Sequence, residues 1–491
     1  MDARDDGTLS IENPDALFPD GWSEEKVARA RTLFLKRLSV LAHRFYGGKL
    51  QVLPRAGLYG PGWFGAWYTP GVSAVSTAVR DDPEESFALT GRGNLVAVLS
   101  DSTRVLGDGD CGPSGGLGVM EGKAFLMKYL GGVDAVPLCM DSRGPDGKPD
   151  WRRIVDFAKM AAPSFGAINL EDISQPNCFF ALDALRDACG IPVWHDDAQG
   201  TACVTLAGLL NALKLAGKRL ADARIVLLGA GAANTALARL LMADGADPAR
   251  LALFDKEGGL HSGRADLERD PSAYRQWELA KLTNPARFAT PAEALRGADA
   301  LVALSAPGPG TVKREWVRSM AEGAIVFACA NPVPEIWPFE AKEEGAFVVA
   351  TGRGDFPNQV NNSVCFPGIL KGALLVRARG ISDGMAIRCA HSLADFAKDR
   401  PGGVKPDDIL PSMEDTEVFA VEAADVAEEA AKEGLARTPL PHAELRARAA
   451  ADIAAARASY AALMDGGHIP RPDPAMIREA AAWAMAVINE D

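Results

Sequence analysis

The sequence predicts an α/β fold, and three observations carry that prediction. Short apolar runs bounded by glycine or acid alternate with helix-length amphipathic segments. Two of the runs end in adjacent carboxylates, Glu171-Asp172 and Asp196-Asp197, joined by one helix-length segment. Further on, RIVLLGAGAANTALARLLMADG reads as strand, glycine turn and helix.

With 491 residues the chain exceeds what one core usually organises, so two or three domains are expected. Hydrophobic content of 48% and charged content of 24% describe an ordinary globular protein. A net charge of -13 argues against a nucleic-acid partner, because no basic face is offered to phosphates. It leaves room for a small anionic substrate, since one arginine or a metal reverses the local sign. The opening MDARDDGTLSIENPD fits neither a secretory signal nor a transit peptide, and no apolar run reaches membrane-span length. The eight cysteines are scattered without zinc spacing and read as small core residues in a reducing cytoplasm.

In chain order, residues 22–45 show helical apolar spacing with Ser23 placed as the N-cap. A Gly/Pro-rich loop follows, carrying Trp63, Phe64, Trp67 and Tyr68; such a cluster packs as a loop or presents the Tyr68 hydroxyl to a cleft. NLVAVLS is a buried strand, and the glycine-dense loop after it, flanked by Arg104 and Lys123, leads into a helix. Lys123 is either a solvated helix-start lysine or a base whose pKa burial lowers. DAVPLCMD is a strand and WRRIVDFAKMAAP a helix.

The acidic strand ends come next. Carboxylates at the C-terminal edge of parallel strands are hard oxygen ligands, and three converging there suit Mg²⁺ or Mn²⁺; two acidic surface turns are the alternative. An apolar helix then stops near Gly217. Gly229 and Gly231 fit the first two glycines of the dinucleotide fingerprint, with Asn234 in the third position and Ala232 opening the helix. LALFDK ends at Asp255, where a carboxylate accepts adenine-ribose hydroxyls, so a Rossmann-like unit is expected. Three further strands end near Gly308, Asn331 and Gly352, followed by Asn358, Asn361 and Asn362 as amide partners or turn formers. From about Leu370 the chain is helical, and its last apolar stripes need a partner surface. The expected division is 1–203, an N-terminal α/β catalytic domain binding substrate and metal; 204–380, a Rossmann-like NAD(P)-binding domain; and 381–491, a helical C-terminal segment packing on the core or on a partner subunit.

Taken in order, YTPGV, VMEGKA, INLEDI, HDDAQGTA, LLGAGAA, NPVPE and TGRGDFPNQVNNSVCFPG resemble the malic enzymes, from about Gly47 to about Leu435. The resemblance implies oxidative decarboxylation of L-malate to pyruvate and CO₂ with NAD or NADP and a divalent metal, Mg²⁺ or Mn²⁺. It implies Glu171, Asp172 and Asp197 as metal ligands, Asp196 as the neighbour tuning them, Lys123 as general base and Tyr68 as general acid. Arg104 is similar to an arginine gripping a substrate carboxylate. Asn331 and Asn362 match asparagines touching substrate and nicotinamide, and Gly229, Gly231, Ala232 and Asp255 fall on the dinucleotide site. Asp255 favours NAD, although Lys256 and Arg264 nearby suit a 2′-phosphate. The chain departs from the pattern at Asp108, usually apolar, at Trp194, usually Phe, and at Asn234, usually glycine.

The expected protein is a cytoplasmic malic enzyme acting on a small 2-hydroxy acid, with no nucleic-acid or membrane partner, as a homodimer or higher homo-oligomer. The alternatives are a malolactic-type lyase without net redox, a decarboxylase of another 2-hydroxy acid, and a catalytically silent malate and nucleotide binder.

Overall fold

The computed structural model describes residues 9, 11–105 and 107–490. The chain forms two compact units, Met1–Gln51 with Arg457–Asp491, and Val52–Ala456.

In the first unit the helix Glu24–Tyr46 starts where expected, its Ser23 side chain accepting from the Lys26 amide at 3.2 Å. Its partner is the helix Ala475–Glu490, and Phe18, Ala30, Phe34, Ala480, Ala484 and Ile488 form their shared core. Residues 22–45 were expected inside the catalytic domain; they instead pack with the end of the chain, because their apolar stripe fits the alanine-rich stripe of that last helix.

The second unit holds two parallel sheets. β1 (Leu95–Ser100), β2 (Asp134–Cys139), β3 (Ala167–Leu170) and β4 (Val193–His195) lie in the order β2-β1-β3-β4. β5 (Ile225–Leu228), β6 (Leu251–Asp255), β7 (Gly258–Gly259), β8 (Ala300–Ala303), β9 (Ile325–Ala328) and β10 (Val348–Thr351) lie in the order β10-β9-β8-β5-β6-β7. Only β7 runs antiparallel, and its two glycines escaped the sequence pattern. Most strands are apolar along their length because helices cover both faces of such sheets.

Register decides where the chemistry lands. Leu170 pairs with His195, so Glu171-Asp172 and Asp196-Asp197 leave the sheet side by side at one edge. In the second sheet β5 lies between β8 and β6, and the crevice beyond β5 and β8 is the switch point where such sheets bind ligands. Three helices, Phe366–Leu375, Asp383–Asp399 and Val418–Lys432, build the common core with the helix Thr201–Leu215. Gly131 lets the helix Leu117–Gly131 approach Pro367, whose carbonyl lies 2.8 Å from where a Cβ would stand. That approach brings the Lys123 helix beside the loop carrying Asn362.

The helix Asp383–Asp399 is tied to the helix Ala232–Ala243 by His391, whose Nε2 lies 2.8 Å from Asp244 Oδ1. The hydrogen bond to Asp244 raises the His391 pKa, and partial burial opposes it. A raised histidine stabilises the fold below its unfolded pKa near 6.5 and loses that contribution as pH climbs through the folded value. His391→Gln is therefore expected to lower stability by up to about 1 kcal/mol at pH 6, given the partial exposure, and to match the parent at pH 9. Urea denaturation at the two pH values measures the difference.

Candidate active site

Four carboxylates and one lysine meet at the edge of the first sheet. Glu171, Asp172 and Asp196 are each at most 2% exposed, and oxygens of Glu171, Asp172 and Asp197 lie within 4.8 Å of one another. Asp172 takes a left-handed backbone with φ of 53°, which turns its amide to donate to Asp197 Oδ2 at 2.7 Å. Asn169 Nδ2 donates to Glu171 Oε2 at 2.9 Å. Lys123 Nζ contacts Asp196 Oδ2, Glu171 Oε1 at 3.1 Å and Asn362 Oδ1 at 3.2 Å, and lies 4.6 Å from the Phe366 ring centre.

The electrostatics follow from this crowding. Burial pushes Glu171 well above the usual carboxylate range; Lys123 pulls it back, and Asp197, Asp196 and Asp172 push it up again. Burial pulls Lys123 down, but Asp196, Glu171 and Asp197 outweigh burial and hold the ammonium above its ordinary range. The expectation of a burial-depressed Lys123 is corrected here: the carboxylates around it win.

An all-oxygen set at this spacing, in which negative charges push one another's pKa values up, fits a hard divalent cation. Glu171, Asp172 and Asp197 are the residues that would hold it. Asp196 is committed elsewhere, to Lys123 and to Trp194, whose Nε1 donates to Asp196 Oδ1 at 3.0 Å. Trp194 thus supplies a hydrogen bond that a phenylalanine lacks. Gly200 leaves room for the same carboxylate, since a Cβ there would meet Asp196 Oδ1 at 1.9 Å.

The remaining sequence candidates divide. Arg104 is exposed, yet its backbone amide donates to Asp172 O at 3.0 Å, placing its loop beside the carboxylates. Asp108 is exposed on the same loop. Asn331 is exposed on the segment after β9, its carbonyl 2.7 Å from where a Gly107 Cβ would stand. Of the three asparagines at 358–362, Asn362 is the one that touches Lys123. Asn358 is structural: its Nδ2 donates to Val349 O and Pro406 O, and its Oδ1 accepts from the Ile409 amide. Tyr68 is 74% exposed, and the chain does not bring its side chain into hydrogen-bond contact with the lysine cluster.

At the switch point Gly229 has a φ of 97°, and a Cβ there would meet Leu304 O at 2.5 Å, so only glycine fits. Gly231 caps the helix that Ala232 begins, leaving the helix N-terminus open to an anion. Asn234 supplies what a third glycine would not: its Nδ2 donates to Leu228 O at 3.0 Å and Gly229 O at 2.9 Å, tying the turn to the helix. Asp255 is gripped by Arg264 at 3.0 and 2.8 Å, and Arg264 also pairs with Asp266.

Sequence reasoning missed Glu335, fully buried and accepting from the amides of Ser305 and Ala330 at 2.8 and 3.0 Å. It stitches the loops after β8 and β9 together, and its place in NPVPE gave the only signal. Asn234→Gly is expected to cost about 1–3 kcal/mol by orphaning two turn carbonyls, and to weaken dinucleotide binding in parallel. Urea denaturation and a dinucleotide titration of the variant check both effects.

Comparisons with known proteins converge. The family model described as "Malic enzyme, N-terminal domain" matches residues 63–186, and "Malic enzyme, NAD binding domain" matches 198–431. The chain is 44% identical over 371 residues to the NAD-dependent malic enzyme of Geobacillus stearothermophilus, covering 75% of this chain and 74% of that one. It is 39% identical over 404 residues to the bifunctional malic/malolactic enzyme of Bacillus subtilis, covering 82% and 95%. The crystal structure of Entamoeba histolytica malic enzyme superposes with a TM-score of 0.95 at 54% identity, covering 97% and 98%.

Proposed function

The chain belongs to the malic enzyme family, and we propose that the Lys123 cluster carries out oxidative decarboxylation of L-malate to pyruvate and CO₂ with NAD as hydride acceptor. The observation that supports this most is the juxtaposition of a lysine with a three-carboxylate set at one sheet edge. Glu171, Asp172 and Asp197 would hold a divalent cation, which would supply Lewis acidity toward the 2-keto group and offset the carboxylate charge that keeps Lys123 protonated. Lys123 then moves the proton at the substrate's C2 oxygen, steered by Asp196 and Asn362. Asn362 and Asn331 orient the substrate, and Arg104 grips its far carboxylate. The Gly229 turn and the helix N-terminus after Gly231 seat the pyrophosphate, which places the nicotinamide toward the first sheet. Within the unit Val52–Ala456, the stretch up to residue 203 carries the substrate and metal half of that division of labour and 204–380 the dinucleotide half.

Dinucleotide choice rests on Asp255. Of the two residues nearby that would receive a 2′-phosphate, Arg264 is already occupied by Asp255 and Asp266 and Lys256 is exposed beside Glu257, which together with the Asp255 carboxylate favours NAD. Asp255→Ala removes one of the two carboxylates on Arg264 and is expected to raise kcat/KM with NADP relative to NAD by about tenfold, about 1.4 kcal/mol.

Tyr68 is assigned to protonating C3 of the product enolate. A single chain leaves it exposed among Tyr59, Trp63, Phe64 and Trp67, all of them exposed as well. A homodimer that covers this aromatic surface with a second copy, and places Tyr68 at the copy's site, accounts for both facts. Among the described residues no helix is long and apolar enough to cross a membrane.

The test is direct. Protein mixed with L-malate, Mn²⁺ and NAD is expected to reduce the dinucleotide with matching pyruvate, and Lys123→Ala to lose about 10²- to 10⁴-fold in kcat. Lactate without net dinucleotide reduction would instead establish the malolactic reading, which the Bacillus subtilis relative keeps in view. For the dimer, light scattering is expected to give twice the chain mass, with Trp63→Glu/Trp67→Glu reverting to one chain and losing turnover.

A further inference from the structure

Behind the active site three cysteines from three helices converge on a buried glutamate. Cys203 comes from the helix Thr201–Leu215, Cys389 from Asp383–Asp399, Glu422 from Val418–Lys432, and Cys365 caps the helix Phe366–Leu375. Their three sulfurs lie within 4.8 Å of one another, and Cys203, Cys365, Cys389 and Glu422 are fully buried.

Two of the distances have the length that a coordination shell needs. Cys365 and Cys389 Sγ stand 3.7 Å apart, against about 3.8 Å for the edge of a tetrahedron with zinc–sulfur bonds near 2.3 Å. Cys389 Sγ lies 3.3 Å from Glu422 Oε1, against about 3.5 Å for the mixed sulfur–oxygen edge. Glu422 is the second, independent sign. Its Oε1 accepts from the Cys389 thiol and its Oε2 has no hydrogen-bond partner, with no cation paired to it among the described residues. Space for the carboxylate is reserved, because a Cβ on Gly368 would meet Oε2 at 2.2 Å. Burial pushes Glu422 well above the usual carboxylate range, so it is held either neutral or joined by a positive charge. The neighbouring Asp425, by contrast, is fully served by Arg388, His442 and Ser392.

We propose that Cys203, Cys365 and Cys389 form a second metal site of this protein, a three-sulfur centre for a thiophilic divalent ion of the zinc class, with Glu422 beside Cys389 as the carboxylate that completes the shell. Soft thiolates select such an ion over the hard cation suited to Glu171, Asp172 and Asp197. Binding expels the three thiol protons, and the Lys123 ammonium acting on Cys365 offsets part of the resulting negative charge. With the three cysteines and Glu422 fully buried and away from solvent, the centre is structural. It ties the helix Phe366–Leu375, and with it Asn362 and Phe366 beside Lys123, to the helical core.

Metal analysis of the whole protein, expressed in zinc-supplemented medium and dialysed against EDTA, tests this. About one zinc per chain is expected to remain, and to fall below one tenth in Cys203→Ala/Cys389→Ala. If that variant does not fold, a second measurement on the parent decides: refolding with Cd²⁺ is expected to give an ultraviolet thiolate-to-metal charge-transfer band that Mn²⁺ does not displace. Less than one tenth zinc per chain together with no Cd²⁺ band overturns the proposal, as does a Cys365–Cys389 disulfide found by intact mass. Malate turnover is read separately, so failure here leaves the active-site reading untouched.

Discussion

Three carboxylates at most 2% exposed, with Asp197 beside them, share one lysine, and the rest of the site answers to that imbalance. Charges this close in a dry environment cannot all remain ionised without compensation. Lys123 supplies one positive charge, and the oxygen set of Glu171, Asp172 and Asp197 calls for another. The same excess of negative charge that suits a divalent cation keeps Lys123 protonated, so on the proposed reading cation binding and the lysine's readiness to accept a proton are linked.

The fold enforces the crowding instead of merely permitting it. Parallel register between β3 and β4 delivers two acidic pairs to one edge, and the left-handed Asp172 turns its amide onto Asp197. Gly200 and Trp194 fix Asp196, while the close passage of Gly131 past Pro367 holds the Lys123 helix against the Asn362 loop. The second sheet brings the dinucleotide turn forward at its switch point, with Asn234 and Glu335 pinning the loops there. Side chains that never meet substrate therefore set the geometry of those that do.

Much of this was legible in the sequence, for identifiable reasons. Apolar runs ending in paired acids, and a glycine turn between strand and helix, are local patterns, so the strands of both sheets apart from β7, the two acidic pairs and the dinucleotide turn could be read directly. What depends on distant packing could not. The direction of the Lys123 shift required knowing how many carboxylates face it. Asn358 and Asn362 look alike in sequence, but one satisfies three backbone groups and the other reaches the lysine. The pairing of residues 24–46 with 475–490, and the gathering of Cys203 with Cys365 and Cys389, are long-range events with no local signature. Trp194 and Asn234 read as departures from a pattern, and each makes a hydrogen bond that the usual residue lacks.

The central claim is that Glu171, Asp172 and Asp197 bind one divalent cation whose charge Lys123 opposes. A Mn²⁺ titration followed by electron paramagnetic resonance, comparing the parent with Glu171→Gln and Lys123→Ala, tests it most directly. The account predicts one site per chain in the parent, strong weakening in Glu171→Gln, and binding at least as tight in Lys123→Ala, where the competing ammonium is gone. Equal affinity in the parent and Glu171→Gln, or loss of the site in a folded Lys123→Ala, would contradict it.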